Sequence, residues 1–496
     1  MKKFLIPVFL SIALFCSAKL FAAVKPDVNT VDELTYRYYL AQKWDSVILV
    51  GKEALRNNID FYFLRVRMGL AYYEQKEYIP AAMHLVKARQ FNPKDPIIAD
   101  YLYYAYVFTN RMEEARLLQA SLAPEDRNME NNKKGLVDAV GVESGYTFSS
   151  NNSLKEKPSL MGTDSVYGET DIYGNYLYEH LGIRLNLSNR IGLSLAYSYL
   201  NFSKIKYMQY SRIEDQLQNI ADSSWGKFYN YNYPRVTYDT SFSYNINQHE
   251  IHAGLSWYLN GGWRIMPAFH MIHVSYPITS ASAKSVTVND TGYYLNEGNQ
   301  YVTFPFSRTI YSYSTSDTSF SNYLASLSIS KEWGRFNIGI SGSWSNLNNK
   351  QQKQVGISVT WLPFGNLNLY TNTSVSGFLQ SKDKRLLVSQ VVGAKITPWC
   401  WAEGSFYYGD YTNANIMNGA VIYNNSDVID YRGSANLYFL AGKHLEFSLI
   451  YQYARKESKQ YYYTKDPTSS EVSSYPAYIL NPYNTHSIIG GITWKL

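Results

Sequence analysis

The sequence predicts an α + membrane β chain: a short N-terminal helical solenoid, then an antiparallel transmembrane β-barrel of about 16 strands, with 14 as the alternative. Three observations predict it. Residues Val28 to Asn128 repeat at a fixed period without a gap, residues 137–496 alternate apolar and polar side chains in short runs, and the intervening stretch is polar. After the first 23 positions no apolar run is long enough for a membrane helix, which needs roughly 18 residues, so any membrane crossing falls to strands.

The N-terminus sets the expected compartment. Lys2 and Lys3 precede an apolar run from Phe4 to Phe15, broken by Pro7 and Ser11, and small residues follow at Ala22 and Ala23. This is the layout of a secretory signal peptide, expected over 1–23. Phe15 stands before Cys16 where an acylation signal wants a small residue, which argues against a lipid anchor. Cleavage leaves Cys400 alone, excluding an intramolecular disulfide and a thiolate metal cluster.

Residues 24–130 carry three copies of 34 residues, at 28–61, 62–95 and 96–129. Tyr38, Tyr72 and Tyr106 are in phase, as are Trp44, Tyr78 and Met112; Val47, Ala81 and Ala115; and Ala54, Ala88 and Leu122. Small residues at Gly69 and Ala81 let two helices approach closely, an aromatic at Tyr72 fills the gap above them, and Pro93 ends the second helix. With Met68, Leu85 and Ala88, these positions resemble the tetratricopeptide repeat (TPR). Arg65 departs from the tryptophan frequent there, and Thr35 and Tyr103 stand where the middle copy has Gly69. The resemblance implies a concave face for a periplasmic protein or an exported client; a spacer that packs on the barrel is the plainer reading. Tyr39, Tyr62, Tyr73, Tyr103 and Tyr104 are expected in inter-repeat packing.

A linker is expected at 131–136, within a polar stretch from Ala123 to Leu136, and the barrel over 137–496. Leu181, Ile183, Leu185 and Leu187 alternate with polar or small residues, Ser188-Asn189-Arg190 turns the chain, and Leu193, Leu195, Tyr197 and Tyr199 alternate again. Further short turns fall at Asn260-Gly261-Gly262, Trp333-Gly334-Arg335, Phe364-Gly365-Asn366, Pro398-Trp399 and Ala441-Gly442-Lys443. Between them lie long polar connections such as 202–233 and 455–482. One set of short and one set of long connections suits two sides of a membrane better than a soluble sandwich. The 48 tyrosines and 10 tryptophans, with a mean hydropathy of −0.30, point the same way, since amphipathic rings favour membrane interfaces.

Ile488, Gly490, Ile492, Trp494 and Leu496 share one face of a final strand and resemble the C-terminal strand that outer-membrane barrels present to the barrel assembly machinery; Leu496 stands where an aromatic is usual. With both ends periplasmic the strand number is even. Fifteen strands can be placed from turns, and the sixteenth is expected within 203–233 or 277–318.

Chemistry is sparse. Gly-x-Ser-x-Gly, His-Glu-x-x-His, phosphate-loop and dinucleotide patterns do not occur, so no catalytic residue, no cofactor and no enzymatic activity are expected. The net charge of +6 is dispersed, unlike a nucleic-acid footprint. Pairing around Gly261 sets His252 opposite His270, facing the lumen, and His249 opposite His273. Two imidazoles make an incomplete metal site, and polar lumen lining is the stronger reading. Tyr207, Tyr210, Tyr229, Tyr231 and Tyr233, and later Tyr461 to Tyr463, Tyr475 and Tyr478, cluster near long connections as interface girdle or sugar-stacking rings.

The order signal peptide, TPR, barrel resembles surface-lipoprotein assembly modulators, TPR–barrel exopolysaccharide exporters and TPR–barrel proteins of the Bacteroidetes type. The resemblance implies an outer-membrane transport, export or assembly component of a Gram-negative bacterium, touching outer-membrane lipid and holding its N-terminal domain in the periplasm. A non-conducting anchor for a periplasmic complex is the alternative, and a barrel enzyme a weaker one.

Overall fold

The computed structural model describes residues 27–109, 111–122, 135–153, 166–214, 216–223, 226–232, 234–292, 302–424, 426–463 and 480–496. The expected signal peptide, most of the linker, Tyr233, Tyr475 and Tyr478 lie outside the described residues. The chain divides into two compact units, Met1–Leu102 and Tyr103–Leu496.

The first unit is built from helical pairs. Its helices are α1 (Val28–Leu40), α2 (Trp44–Arg56), α3 (Tyr62–Glu74), α4 (Tyr78–Phe91) and the first part of α5 (Pro96–Val107). The starts at Val28, Tyr62 and Pro96 recur at the 34-residue spacing. Asp27 caps α1 by accepting from the Thr30 N–H at 2.7 Å, and Asp95 caps α5 by accepting from the Ile97 N–H at 2.9 Å. Val31, Val47, Ala54, Leu64 and Met68 form its core, where each fully buried Leu or Met side chain contributes roughly 1.5–3 kcal/mol. A Cβ on Gly69 would stand 2.6 Å from Leu85 Cδ2, so α3 and α4 meet where only hydrogen fits. Arg65, the departure from the repeat pattern, pairs with Asp60 at 2.6 Å and donates to His84 Nδ1 at 3.1 Å.

The second unit opens with α6 (Met112–Ala120) and continues as strands: β1 (Val137–Ser149), β2 (Tyr167–Asn186), β3 (Ile191–Ile213), β4 (Gln216–Ser223), β5 (Gly226–Asn232), β6 (Arg235–Leu259), β7 (Trp263–Gly292), β8 (Val302–Trp333), β9 (Phe336–Ser345), β10 (Gln352–Trp361), β11 (Leu369–Gln380), β12 (Asp383–Thr397), β13 (Cys400–Tyr408), β14 (Asn415–Ile416), β15 (Val421–Ile422), β16 (Val428–Ala441), β17 (Leu445–Tyr463) and β18 (Leu480–Lys495). Fourteen of them close an antiparallel barrel in the order β1-β18-β17-β16-β13-β12-β11-β10-β9-β8-β7-β6-β3-β2. Thus the count is the lower of the two expected, and among the described residues the segments nominated for a sixteenth strand add no further strand to the barrel. Residues 277–292 and 302–318 belong to β7 and β8, which pair without a break from Trp263↔Lys331 to Gly292↔Val302. Within 203–233, β3 continues to Ile213 and β4–β5 form a separate two-stranded sheet. The polar connections read at 202–233 and 455–482 are therefore partly strand. A membrane crossing needs roughly 9–11 residues, whereas β6, β7 and β8 run for 25, 30 and 32, and alternation loses its apolar partner once a strand leaves lipid.

The outer face carries an apolar band that includes Val142, Leu181, Ile251, Phe269, Ile340 and Ile357, all exposed. Trp257, Trp263, Trp333, Trp361, Trp399 and Trp494 are exposed at strand ends beside the tight turns. Toward the other end, hydroxyl-bearing rings meet imidazoles: Tyr197 with His249 and Tyr451 with His486, each at 2.8 Å. A closed sheet with a continuous apolar exterior between two aromatic rims has every backbone edge paired and is stable only with lipid around it.

Candidate functional site: the barrel lumen

The lumen is crossed by the connection from β13 to β16, residues 409–427. Arg385 on β12 fixes its root: it pairs with Asp410 at 2.8 Å and donates to the Thr412 carbonyl at 3.0 Å. Thr412 Oγ1 donates to the Asp427 carbonyl at 2.8 Å, which ties the outgoing and returning limbs together. Midway, Asn415 Nδ2 donates to Ser343 Oγ on β9 at 2.8 Å, and the Asn415 carbonyl accepts from Gln354 on β10 at 2.9 Å.

At the tip, Asn418 Nδ2 donates to the Met266 carbonyl on β7 at 2.8 Å, and the Asn418 carbonyl accepts from Ser326 Oγ on β8 at 2.7 Å. That carbonyl of Met266 is at hand because pairing of β6 with β7 lapses between Gly254↔Ala268 and Trp257↔Ile265, where Pro267 has no N–H to give. β7 is six places from β13 in a ring of fourteen, so the loop reaches nearly to the opposite wall. Its reversal uses positive φ at Met417, Asn418 and Gly419, and a Cβ on Gly419 would lie 2.5 Å from Leu324 Cδ2.

The two histidines singled out from sequence face each other as expected from the turn, with His252↔His270 in register and rings 5.5 Å apart. His270 is buried at 2% exposure and belongs to the loop's seat: Nδ1 donates to the Gly419 carbonyl at 2.8 Å, and Nε2 lies 3.2 Å from Glu250 Oε2. His252 Nε2 is buried without a hydrogen-bond partner in the structure. Among the described residues no group of three or more His, Cys, Asp or Glu is arranged to hold a metal. His249 and His273 sit on the outer face, with His273 Nδ1 3.0 Å from Ser321 Oγ.

Tyr72, Ala81, Ala88, Tyr106 and Ala115 are buried, Tyr38 is partly buried against the helical core, and Pro93 follows the end of α4. Tyr72 stacks on His84 with centroids 5.4 Å apart. Ile488, Ile492, Trp494 and Leu496 are exposed on the outer face of the barrel's last strand, with Gly490 between them. Tyr207 and Tyr210 lie on β3, and Tyr207 is buried; Tyr229, Tyr231 and Tyr461 to Tyr463 lie on β5 and β17.

Beside the loop lies a chamber of ≈ 100 Å³. The β9–β10 connection helps close it: the Asn348 N–H donates to Asn424 Oδ1 at 3.2 Å, and Asn348 Nδ2 to Asn413 Oδ1 at 2.6 Å. Leu347 is fully buried in an apolar cluster with Ile246, Ile272 and Val274. Rings of Tyr176, Phe202, Tyr276 and Phe320 face the chamber, with Lys204 and Lys456. Lys204 pairs with Asp171 at 2.7 Å and lies 5.3 Å from the ring centroids of Tyr173 and Tyr276.

At the tight-turn end, α6 is fastened to the barrel. Arg111, at its N-cap, pairs with Glu332 on β8 at 2.7 Å and with Glu114. Glu113 pairs with Arg264 on β7 at 3.4 Å, and Arg116 with Asp138 on β1 at 3.2 Å. Burial works against the Arg111 charge, but Glu114 and Glu332 overcome it and hold the guanidinium's pKa above its ordinary value.

Sequence reasoning missed the loop. Its signal was the amide spacing in Tyr411-Thr-Asn-Ala-Asn-Ile-Met-Asn-Gly419, unusual in a connection with three apolar residues following, and amides are side chains that can satisfy backbone groups from a distance.

Fold and lumen together define a membrane-spanning β-barrel with an inserted constriction. No family profile matches the chain, and no curated protein matches it. Among solved structures, the chain is similar over 73% of its length, at 7% identity, to 90% of the Ralstonia pickettii toluene transporter TbuX, with a TM-score of 0.35. It is similar over 72%, at 8% identity, to 90% of a Pseudomonas aeruginosa FadL homologue, with a TM-score of 0.36. Over 20% of its length the chain is similar, at 22% identity, to 73% of a point mutant of MamA, with a TM-score of 0.19.

Proposed function

We propose that this protein is an outer-membrane transport or export component, its lumen gated by the 409–427 loop, with N-terminal repeats that recruit a periplasmic client. The observation that carries the reading is the loop itself. Beyond the ion pair and apolar cluster at its root, it is held across the lumen by individually modest hydrogen bonds, each contributing about 0.5–1.5 kcal/mol, rather than by a covalent or fully apolar plug. Such a seat can be vacated, which suits a gate. The repeats supply small-residue helix contacts and a solenoid of the kind that binds extended partners. No catalytic role is assigned to any residue.

A second reading, a non-conducting outer-membrane anchor, draws on the same loop, since a constriction that never leaves its seat closes the lumen. Conductance of the purified full chain in planar bilayers separates them. The gate predicts closed or brief-opening behaviour in the native chain and sustained openings in an Asn415→Ala, Asn418→Ala double variant whose folded barrel is confirmed by heat-modifiable migration. Absence of conductance in both, with the barrel intact, would favour the anchor.

A further inference from the structure

We infer that the lumen chamber is a binding site for small organic anions: a flat six-membered ring with an apolar face, carrying one carboxylate or similar negative group. The inference names the substrate class of the conduit proposed above and rests on that reading for its purpose, although binding is measurable without transport.

Three observations lead there. The chamber's walls present several aromatic faces, among them Tyr176, Phe202, Tyr276 and Phe320, which stack favourably on flat rings. Two lysines and no carboxylate are among the lining residues.

The lysines differ in what they already hold. Lys204 is neutralised by Asp171 at 2.7 Å and enclosed by Tyr173, Tyr244 and Tyr276, so its charge is committed to the wall. Lys456 has the Tyr176 ring 5.9 Å from its ammonium and meets no carboxylate at salt-bridge distance among the described residues. Asp427, next to the lining Ser426, feels the Lys456 charge from beyond salt-bridge distance and accepts from the Tyr483 hydroxyl at 2.6 Å. A cation beside an aromatic face in a partly desolvated chamber attracts an anion more strongly than the same charge in water.

The amides nearby do not compete for this role. Asn348 is engaged with Asn322, Asn413 and Asn424, and Gln248 with Glu250 at 2.5 Å. What is left to select a ligand is ring surface and one ammonium.

Flat anionic rings come from aromatic acids, while sugar acids carry the same charge on a puckered ring with an apolar C–H face, so equilibrium dialysis of the detergent-purified full chain would use both benzoate and glucuronate. Benzyl alcohol and glucose serve as uncharged counterparts, and acetate as an anion without a ring. The expected result is saturable binding of at least one ring anion, tenfold or more tighter than its uncharged counterpart and than acetate. Lys456→Met should weaken it at least tenfold, and Phe320→Ala severalfold, in barrels whose folding is confirmed by heat-modifiable migration. The better binder of the two anions identifies the source of the ring. Equal binding of the uncharged counterpart or acetate, unchanged affinity in Lys456→Met, or no saturable binding of either anion would overturn the site. Conductance that fails while binding persists would refute the conduit and leave the site standing.

Discussion

His270 and Gly419, 149 positions apart in the chain, are joined by a hydrogen bond from the imidazole Nδ1 to the glycine carbonyl at 2.8 Å. It fixes the tip of the lumen loop to the wall opposite its root. Removing the donor leaves a buried carbonyl to find another partner, at a cost of about 1 kcal/mol. His270→Ala should therefore raise the population of the unseated loop about fivefold. Maleimide labelling of an Ala414→Cys reporter, buried while the loop is seated, in a Cys400→Ser background would read it. An unchanged labelling rate would mean that the His270 contact does not hold the loop.

Gly419 tests the same seat from the other side. With φ of +83° and Leu324 Cδ2 2.5 Å from any added Cβ, alanine there meets both backbone strain and a clash. A cost of about 1–3 kcal/mol is expected, so Gly419→Ala should unseat the loop more than His270→Ala does. Bilayer conductance of the two variants, side by side, gives the order.

In the helical unit, His84 stacks on Tyr72 and accepts from Arg65. Burial, then the Arg65 charge, pushes its pKa down from 6.5 to about 4. Between those values the unfolded chain binds the proton that the folded chain refuses, so stability rises with pH across that window. It is full above 6.5 and falls as pH drops toward 4. The loss by pH 4.5 is at most about 2.5 kcal/mol, from about 1.36 kcal/mol per pKa unit. Helix melting followed at 222 nm on the full chain should show a lower transition at pH 4.5 than at 7, and His84→Gln should reduce the difference. Equal slopes in both proteins would count against this assignment.

Arg111 bridges α6 and β8 through Glu332 at 2.7 Å. Truncating one partner of a well-shielded pair costs about 3–5 kcal/mol because the other charge is stranded. Arg111→Ala should therefore free α6, seen as faster amide exchange over 112–120. A paired Arg111→Met, Glu332→Leu variant should restore much of the protection. Equal exchange in the single and paired variants would show that charge stranding is not the cause.

Local features were legible in the residues alone. A 34-residue period put helix starts at Val28, Tyr62 and Pro96, because close packing of small residues such as Gly69 and Ala81 recurs with each repeat. Alternation fixed the strand faces, and the turn at Asn260-Gly261-Gly262 set His252 opposite His270, because a hairpin's register follows from its turn. Tertiary structure decided the closure at fourteen strands, since polar ladders such as β7–β8 continue where hydrophobic alternation fades. It also decided the inward course of residues 409–427. Asn415, Asn418 and Gly419 are seated by groups on β7 to β10, and hydrogen bonds across a lumen leave no period in the chain for a reader to find.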